Sequence, residues 1–198
     1  MAGQRDPEGD GTVGDASNVL LLGPSTESRV EDACIDLLAG STPGETNVLA
    51  VVYETSPAEF VARWSARAGG PPARGSIVAV GDHASVDESA WMTHSVANPA
   101  DLSGVGIELS DLLSALNGPG GATTAVCFDS LTALLDHTNL QQAFRFLHVL
   151  TGRVESAGTV GHYHVDPDAH DRQTMATVEG LFDAVLAVDE DGDWSVER

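Results

Sequence analysis

Short apolar runs alternate with amphipathic stretches along most of the chain. Residues 18–22 (NVLLL) are an unbroken apolar run closed by Gly23-Pro24, the length and punctuation of a buried strand. Over 27–39, Val30, Ala33, Cys34, Leu37 and Leu38 recur at helical spacing, which predicts an amphipathic helix stopped by Gly40. Residues 47–53 (NVLAVVY) make a second buried strand. Ser56-Pro57 opens a helix with proline in its first turn and Glu59 near its positive end. That helix carries Phe60, Val61 and Trp64 and breaks at Gly69-Gly70-Pro71-Pro72. Residues 76–80 (SIVAV) are a third strand, whereas 82–104 are polar without a period and predict irregular chain. A helix over 107–116 ends at Asn117-Gly118-Pro119, and 123–128 (TTAVCF) is a fourth strand running into Asp129-Ser130. A long helix over 140–155 aligns Ala143, Phe144, Leu147 and Leu150 on one face, with Phe146 and Val149 off it. A fifth strand (159–165), a helix (171–180) and a sixth strand (184–188) follow. Asp191-Gly192 turns the chain into Trp194-Ser195-Val196 as a hairpin.

Strands that are apolar on both faces and alternate with helices mean a parallel sheet covered by helices, an α/β fold. A small antiparallel hairpin closes the chain. Residues 18–198 form a single domain, without repeats or a second core. Residues 1–17 (MAGQRDPEGDGTVGDAS) have almost nothing to bury and predict a disordered acidic tail.

The composition sharpens this picture. Of 198 residues 42% are hydrophobic, enough for a core that buries about 70% of the unfolded surface. No apolar run nears the ~20 residues that span a bilayer, and no basic-then-apolar leader opens the sequence. No membrane association is expected, and a cytoplasmic location is. Cys34 and Cys127 sit in no CxxC or zinc-type spacing and are read as reduced core residues.

Charge changes more. Asp and Glu number 30 against 9 Lys and Arg, for a net charge of -21, and all nine cations are arginine. A chain without lysine has no P-loop lysine, Schiff-base lysine or lysine general base. The acid is spread over nearly every predicted loop and helix face. That pattern fits a molar-salt cytoplasm, where the Debye length is about 3 Å and self-repulsion is tolerated. A halophile, an archaeon, is the expected source. A calcium buffer or nucleic-acid mimic is the competing reading, but no carboxylate cluster has ion-loop spacing. The charge argues against a nucleic-acid partner, and salt screening weakens that argument. Between Phe60 and Gly81 there is no acid, and Arg63, Arg67 and Arg74 fall inside this gap. They serve either helix C-termini or an anion or partner surface.

Ligands of open parallel sheets bind beyond the carboxyl ends of the strands. There stand Gly23-Pro24-Ser25-Thr26-Glu27-Ser28-Arg29-Val30, Glu54-Thr55, Gly81-Asp82-His83, Asp129-Ser130, and His164 with Asp166. A loop-like turn and two carboxylates on one edge are the layout of a nucleoside-triphosphate site, one carboxylate ordering Mg²⁺ and one activating water.

Three segments resemble the RecA-like ATPases of the KaiC/RadA group. Val52-Tyr53-Glu54-Thr55-Ser56-Pro57 resembles the KaiC-type segment that carries a catalytic glutamate before Ser/Thr-Pro. Thr124-Ala125-Val126-Cys127-Phe128-Asp129-Ser130-Leu131-Thr132 resembles the Walker B strand, and Leu181-Phe182-Asp183-Ala184-Val185 the entry to the final strand. The likeness runs over 18–198 and is closest to shortened KaiC-like proteins of haloarchaea. It implies a three-layer RecA-like P-loop NTPase fold with Glu54 activating water, Asp129 ordering Mg²⁺, and ATP with Mg²⁺ as cofactors.

The Walker A pattern G-x-x-x-x-G-K-[ST] is not met. Gly23 keeps the first glycine, but Ser28 replaces the second, Arg29 the lysine and Val30 the hydroxyl residue. Ser28 adds a side chain where backbone must approach phosphate. Arg29 is forked and bulkier than lysine. Val30 cannot ligate Mg²⁺, and Glu27 puts negative charge inside the turn. Two functions therefore remain. One is a non-catalytic regulatory or protein-interaction module on a degenerate P-loop, with no cofactor and with a protein partner or a second copy. The other is a nucleotide-binding KaiC-like ATPase that uses Arg29 in place of lysine, with Gly23, Ser28, Arg29, Val30 and Asp129 around the nucleotide.

His162 and His164 share a strand face, with Asp166, Asp168, His170 and Asp171 after them, a set that includes zinc or iron ligand types. Core filling and solvated loop are the competing reading. Ser130 lies in no G-x-S-x-G elbow, which argues against a serine hydrolase. Phe146 and Val149 mark a second apolar surface on the long helix, suited to a subunit or partner.

Overall fold

The computed structural model describes residues 16–24, 28–39, 42–88, 90–117, 122–188 and 194–196. Of the expected acidic tail, residues 1–15 lie outside the described residues, as does the Asp191-Gly192 turn. Ala16 is buried, and the Ser17 N–H donates to Asp183 Oδ2 at 3.1 Å.

Nine strands form one sheet among the described residues. They are β1 (Asn18–Leu22), β2 (Thr46–Val52), β3 (Arg74–Val80), β4 (Asp87–Glu88), β5 (Trp91–Val96), β6 (Thr123–Asp129), β7 (Val160–Val165), β8 (Ala184–Val188) and β9 (Trp194–Val196). Their spatial order is β4-β5-β3-β2-β6-β7-β1-β8-β9. The interior seven pair in parallel, and β4 and β9 add antiparallel margins. β2 is wholly buried, as a strand covered on both faces should be.

Among the described residues six α-helices complete three layers: α1 (Ser28–Ala39), α2 (Pro57–Arg67), α3 (Leu102–Leu116), α4 (Leu131–His137), α5 (Leu140–Ser156) and α6 (Arg172–Glu179). Alternation along each strand sorts the core into two halves. Leu20, Val51, Val126, Phe128 and Tyr163 face α3, α4, α5 and α6. Val19, Ala50, Val52, Cys127 and Leu186 face α1 and α2. The expected α/β architecture, mainly parallel with a C-terminal antiparallel pair, is what forms.

Local sequence explains most boundaries. Ser56 and Glu59 make a reciprocal capping box at α2, with Pro57 in the first turn. Asn139 caps α5 and Asp171 caps α6.

The expectation of irregular chain over 82–104 is corrected. β5 lies there, paired with β3 from Gly75↔Trp91 to Val80↔Val96. Only its ends, Trp91 and Val96, are buried, so its polar middle hid it from an apolar-run criterion. α3 also starts earlier than expected, because the Asp101 side chain accepts from the Gly104 N–H and carries the helix through Gly104 and Gly106. α4 was not expected at all. Ser130 caps it, and its buried Leu131, Thr132, Ala133 and Leu134 are too short a run to show a helical period.

Candidate functional site

The carboxyl ends of β1, β2, β6 and β7 converge on a pocket of about 250 Å³. β7 intervenes between β1 and β6, so His164 stands between the turn after β1 and Asp129. Gly23, Val30, Glu54, Asp129 and His164 all line the pocket, so the structure brings together residues taken from four separate stretches of sequence. Ser28 and Arg29 open α1; their side chains lie outside the described residues, as do residues 25–27.

The two residues that leave β1 are committed to the fold. The Gly23 N–H donates to the Val165 carbonyl at 3.1 Å, and Pro24 has no N–H to offer. Val30 is buried and presents only methyl groups.

A chain of polar contacts crosses the pocket floor. Asp129 Oδ2 lies 3.0 Å from the Thr55 hydroxyl, and Glu31 Oε1 lies 3.2 Å from the same oxygen. One hydroxyl proton can be donated to only one carboxylate at a time. Burial, then the charge of Asp129, raises the Glu31 pKa above the usual glutamate value. Burial works against Asp129 too, but hydrogen bonding from His164 and Thr55 outweighs it and holds that carboxyl below its usual value. Asp129 Oδ1 stands 3.5 Å from His164 Nδ1. Burial opposes charge on His164, yet Cys127 and Asp129 beside it prevail and raise its pKa to about 10.

Arg63 of α2 closes the other side of the floor. It ion-pairs with Glu31 and stands 3.8 Å from Asp32. Arg67 bonds Asp36 at 2.6 and 2.7 Å and Asp32 at 3.2 Å. Arg74 reaches the carbonyls of Ala115 and Leu116 at the end of α3. The arginine island thus ties α2 to α1 and compensates a helix C-terminus, the first of its two readings. Glu31, which sequence reasoning passed over, proves to be the hub of the floor. Its signal was available: about one helical turn separates it from Ser28 of the presumed loop.

Of the expected histidine cluster, His164 is the member that joins a group of three ligand-type residues among the described residues, with Cys34 and Cys127. His162 is buried with Nδ1 lacking a hydrogen-bond partner, and burial pushes its pKa down to about 4, a neutral core imidazole. Cys34 and Cys127 are buried, as expected, but they meet each other, Sγ to Sγ at 2.9 Å. Among the described residues, no helix is long and apolar enough to cross a membrane.

The sequence profile of DUF7504, described as a family of unknown function, matches residues 16–188. No curated protein matches the chain. Solved structures similar in fold include the Pyrococcus horikoshii OT3 protein PH0250, with a TM-score of 0.62 at 12% identity, covering 92% of this chain and 86% of that one. The P. horikoshii protein PH0321, crystallised with an unknown peptide, gives 0.60 at 13% identity over 92% and 84%. The flagellar accessory protein FlaH of Methanocaldococcus jannaschii gives 0.52 at 12% identity over 92% and 78%. These likenesses, with the sheet order, make the fold RecA-like.

Proposed function

Because the chain belongs to the DUF7504 family, whose description assigns no activity, we propose a function from the site itself: a non-catalytic KaiC/RecA-like regulatory or protein-interaction module whose strand-end pocket no longer grips a triphosphate. One observation carries the reading. The pocket presents Glu31, Glu54, Glu59 and Asp129, and the arginine that reaches it, Arg63, is ion-paired with Glu31. Like charges repel, and most strongly where they are shielded from water and salt, as at Glu31 and Asp129. A polyanion would meet several such charges and, at Gly23 and Pro24, no backbone donor. The volume of about 250 Å³ is also below the roughly 300–1,000 Å³ of small-molecule sites. Asp129, the expected Mg²⁺ ligand, has one oxygen beside Thr55 and the other beside His164.

A surface for a partner lies elsewhere, in a groove of about 590 Å³ between α3 and α5. Ile107 and Val149 are 62% and 55% exposed on it, and Arg145, Arg153, Asp101 and Asp111 also line it. That a protein of the same fold was crystallised with a peptide is in keeping with this use. The spread of acid supports a molar-salt cytoplasm as the working environment.

The alternative, an ATPase with Arg29 in the lysine's place, draws on Glu54 and Asp129 standing together on the pocket wall. Thermal unfolding in molar KCl with ATP and Mg²⁺ separates the two. A ligand at 100 times its Kd adds about 2.7 kcal/mol of stability. We expect no shift and no phosphate release. A shift abolished by Arg29→Ala would replace the first reading with the second.

A further inference from the structure

We propose that Cys34, Cys127 and His164 form a binding site for one thiophilic divalent cation, Zn²⁺, beneath the strand-end pocket. Among the described residues, their ligand atoms are the group of three that lie within 4.8 Å of one another. All three residues are at most 5% exposed. Cys34 comes from the inner face of α1, Cys127 from β6 and His164 from β7, so the site would clamp a helix to two strands.

The geometry is close to what a zinc ion needs. With Zn–S bonds of about 2.3 Å and Zn–N of about 2.0–2.1 Å, tetrahedral angles put sulfur and nitrogen about 3.6 Å apart. Cys127 Sγ and His164 Nε2 are 3.9 Å apart. The two sulfurs, at 2.9 Å, would separate to about 3.8 Å, a small rotation of either side chain. Asp129 already stands at His164 Nδ1 and leaves Nε2 facing the sulfurs. That is the carboxylate–histidine–metal relay that fixes the tautomer and strengthens the ligand.

Ligand charge favours a divalent over a monovalent ion. Two thiolates and a neutral imidazole around Zn²⁺ sum to zero, the balance a buried site requires. Around Cu⁺ the same set would keep one negative charge. Zinc binding displaces the thiol protons of Cys34 and Cys127 and any proton on His164 Nε2. A fourth position opens toward a small void of about 10 Å³, roughly one water, lined also by Glu31 and Thr55. Glu31, Thr55 and Arg63 line both this void and the larger pocket, so the void lies directly beneath the pocket floor. The inference is independent of whether a nucleotide binds.

The test uses the full chain, reduced, stripped with a chelator and kept free of oxygen, titrated with Co²⁺ as the spectroscopic probe. One equivalent should bring thiolate-to-cobalt charge-transfer absorption in the near ultraviolet and the visible bands of a four-coordinate ion. One equivalent of Zn²⁺ should then remove both. Cys34→Ser and Cys127→Ser should lose the charge-transfer intensity in proportion to the missing sulfur. Asp129→Asn should keep the bands but weaken affinity 10–100-fold, and His170→Gln should bind as wild type. Absence of charge-transfer bands in folded, reduced wild-type protein overturns the proposal, as does unchanged binding in folded Cys34→Ser. The wild-type spectrum decides alone where a cysteine variant does not fold.

Discussion

Tyr163 is fully buried, and its hydroxyl donates to Asn18 Oδ1 at 3.0 Å while Asn18 Nδ2 donates to the Thr151 carbonyl at 3.1 Å. The pair joins β1, β7 and α5 at the end of the sheet opposite the pocket. Tyr163→Phe keeps the ring, stacked 6.1 Å from Phe128, but leaves the Asn18 oxygen buried without a donor. Such an orphan costs about 1–3 kcal/mol, and urea unfolding of the variant should show a loss in that range with the slope unchanged. Single residues were also where the sequence was least complete as a guide to the site. Strand alternation correctly placed His162 and His164 on one face. That Cys34 would meet Cys127 across 93 residues, with His164 against both, depends on how α1 folds back over β6 and β7, which no local pattern encodes.

At the scale of elements, strongly periodic or continuously apolar segments were legible: α1, α2, α5 and α6 and the buried strands all stand within a few residues of expectation. β5 was not, because pairing with β3 rather than its own hydrophobicity holds it. The contact that seats it is specific. A side chain at Gly75 would place Cβ 2.1 Å from the Trp91 ring, and Trp91 in turn packs edge-on against Phe60 and Trp64. Gly75→Ala should therefore displace β5, not merely crowd it. The expected result is a loss of about 1–3 kcal/mol or more, with tryptophan fluorescence shifted to the red before global unfolding. By contrast, the strand-end carboxylates were legible from position alone, since parallel sheets present their loops at that edge. What the carboxylates do there was not, because the ion pair of Glu31 with Arg63 joins two helices.

For the whole molecule, a net charge of -21 makes compactness depend on screening. Raising KCl from 0.1 M to 1 M shortens the Debye length from about 10 to about 3 Å. The thermal midpoint should rise over that range, by more than that of a near-neutral protein of equal size. A flat response would remove the molar-salt reading of the surface while leaving the fold untouched.

The sheet has a further property at this scale. Its two margins are β4, of two residues, and β9, of three, each running against its neighbour. Among the described residues these outermost strands are too short to offer an incoming strand a long continuous run, although β4 covers β5 only at Trp91 and Met92. Copies of this chain are thereby discouraged from joining rim to rim into a continuous ribbon, and any higher-order assembly is left to its helical flanks.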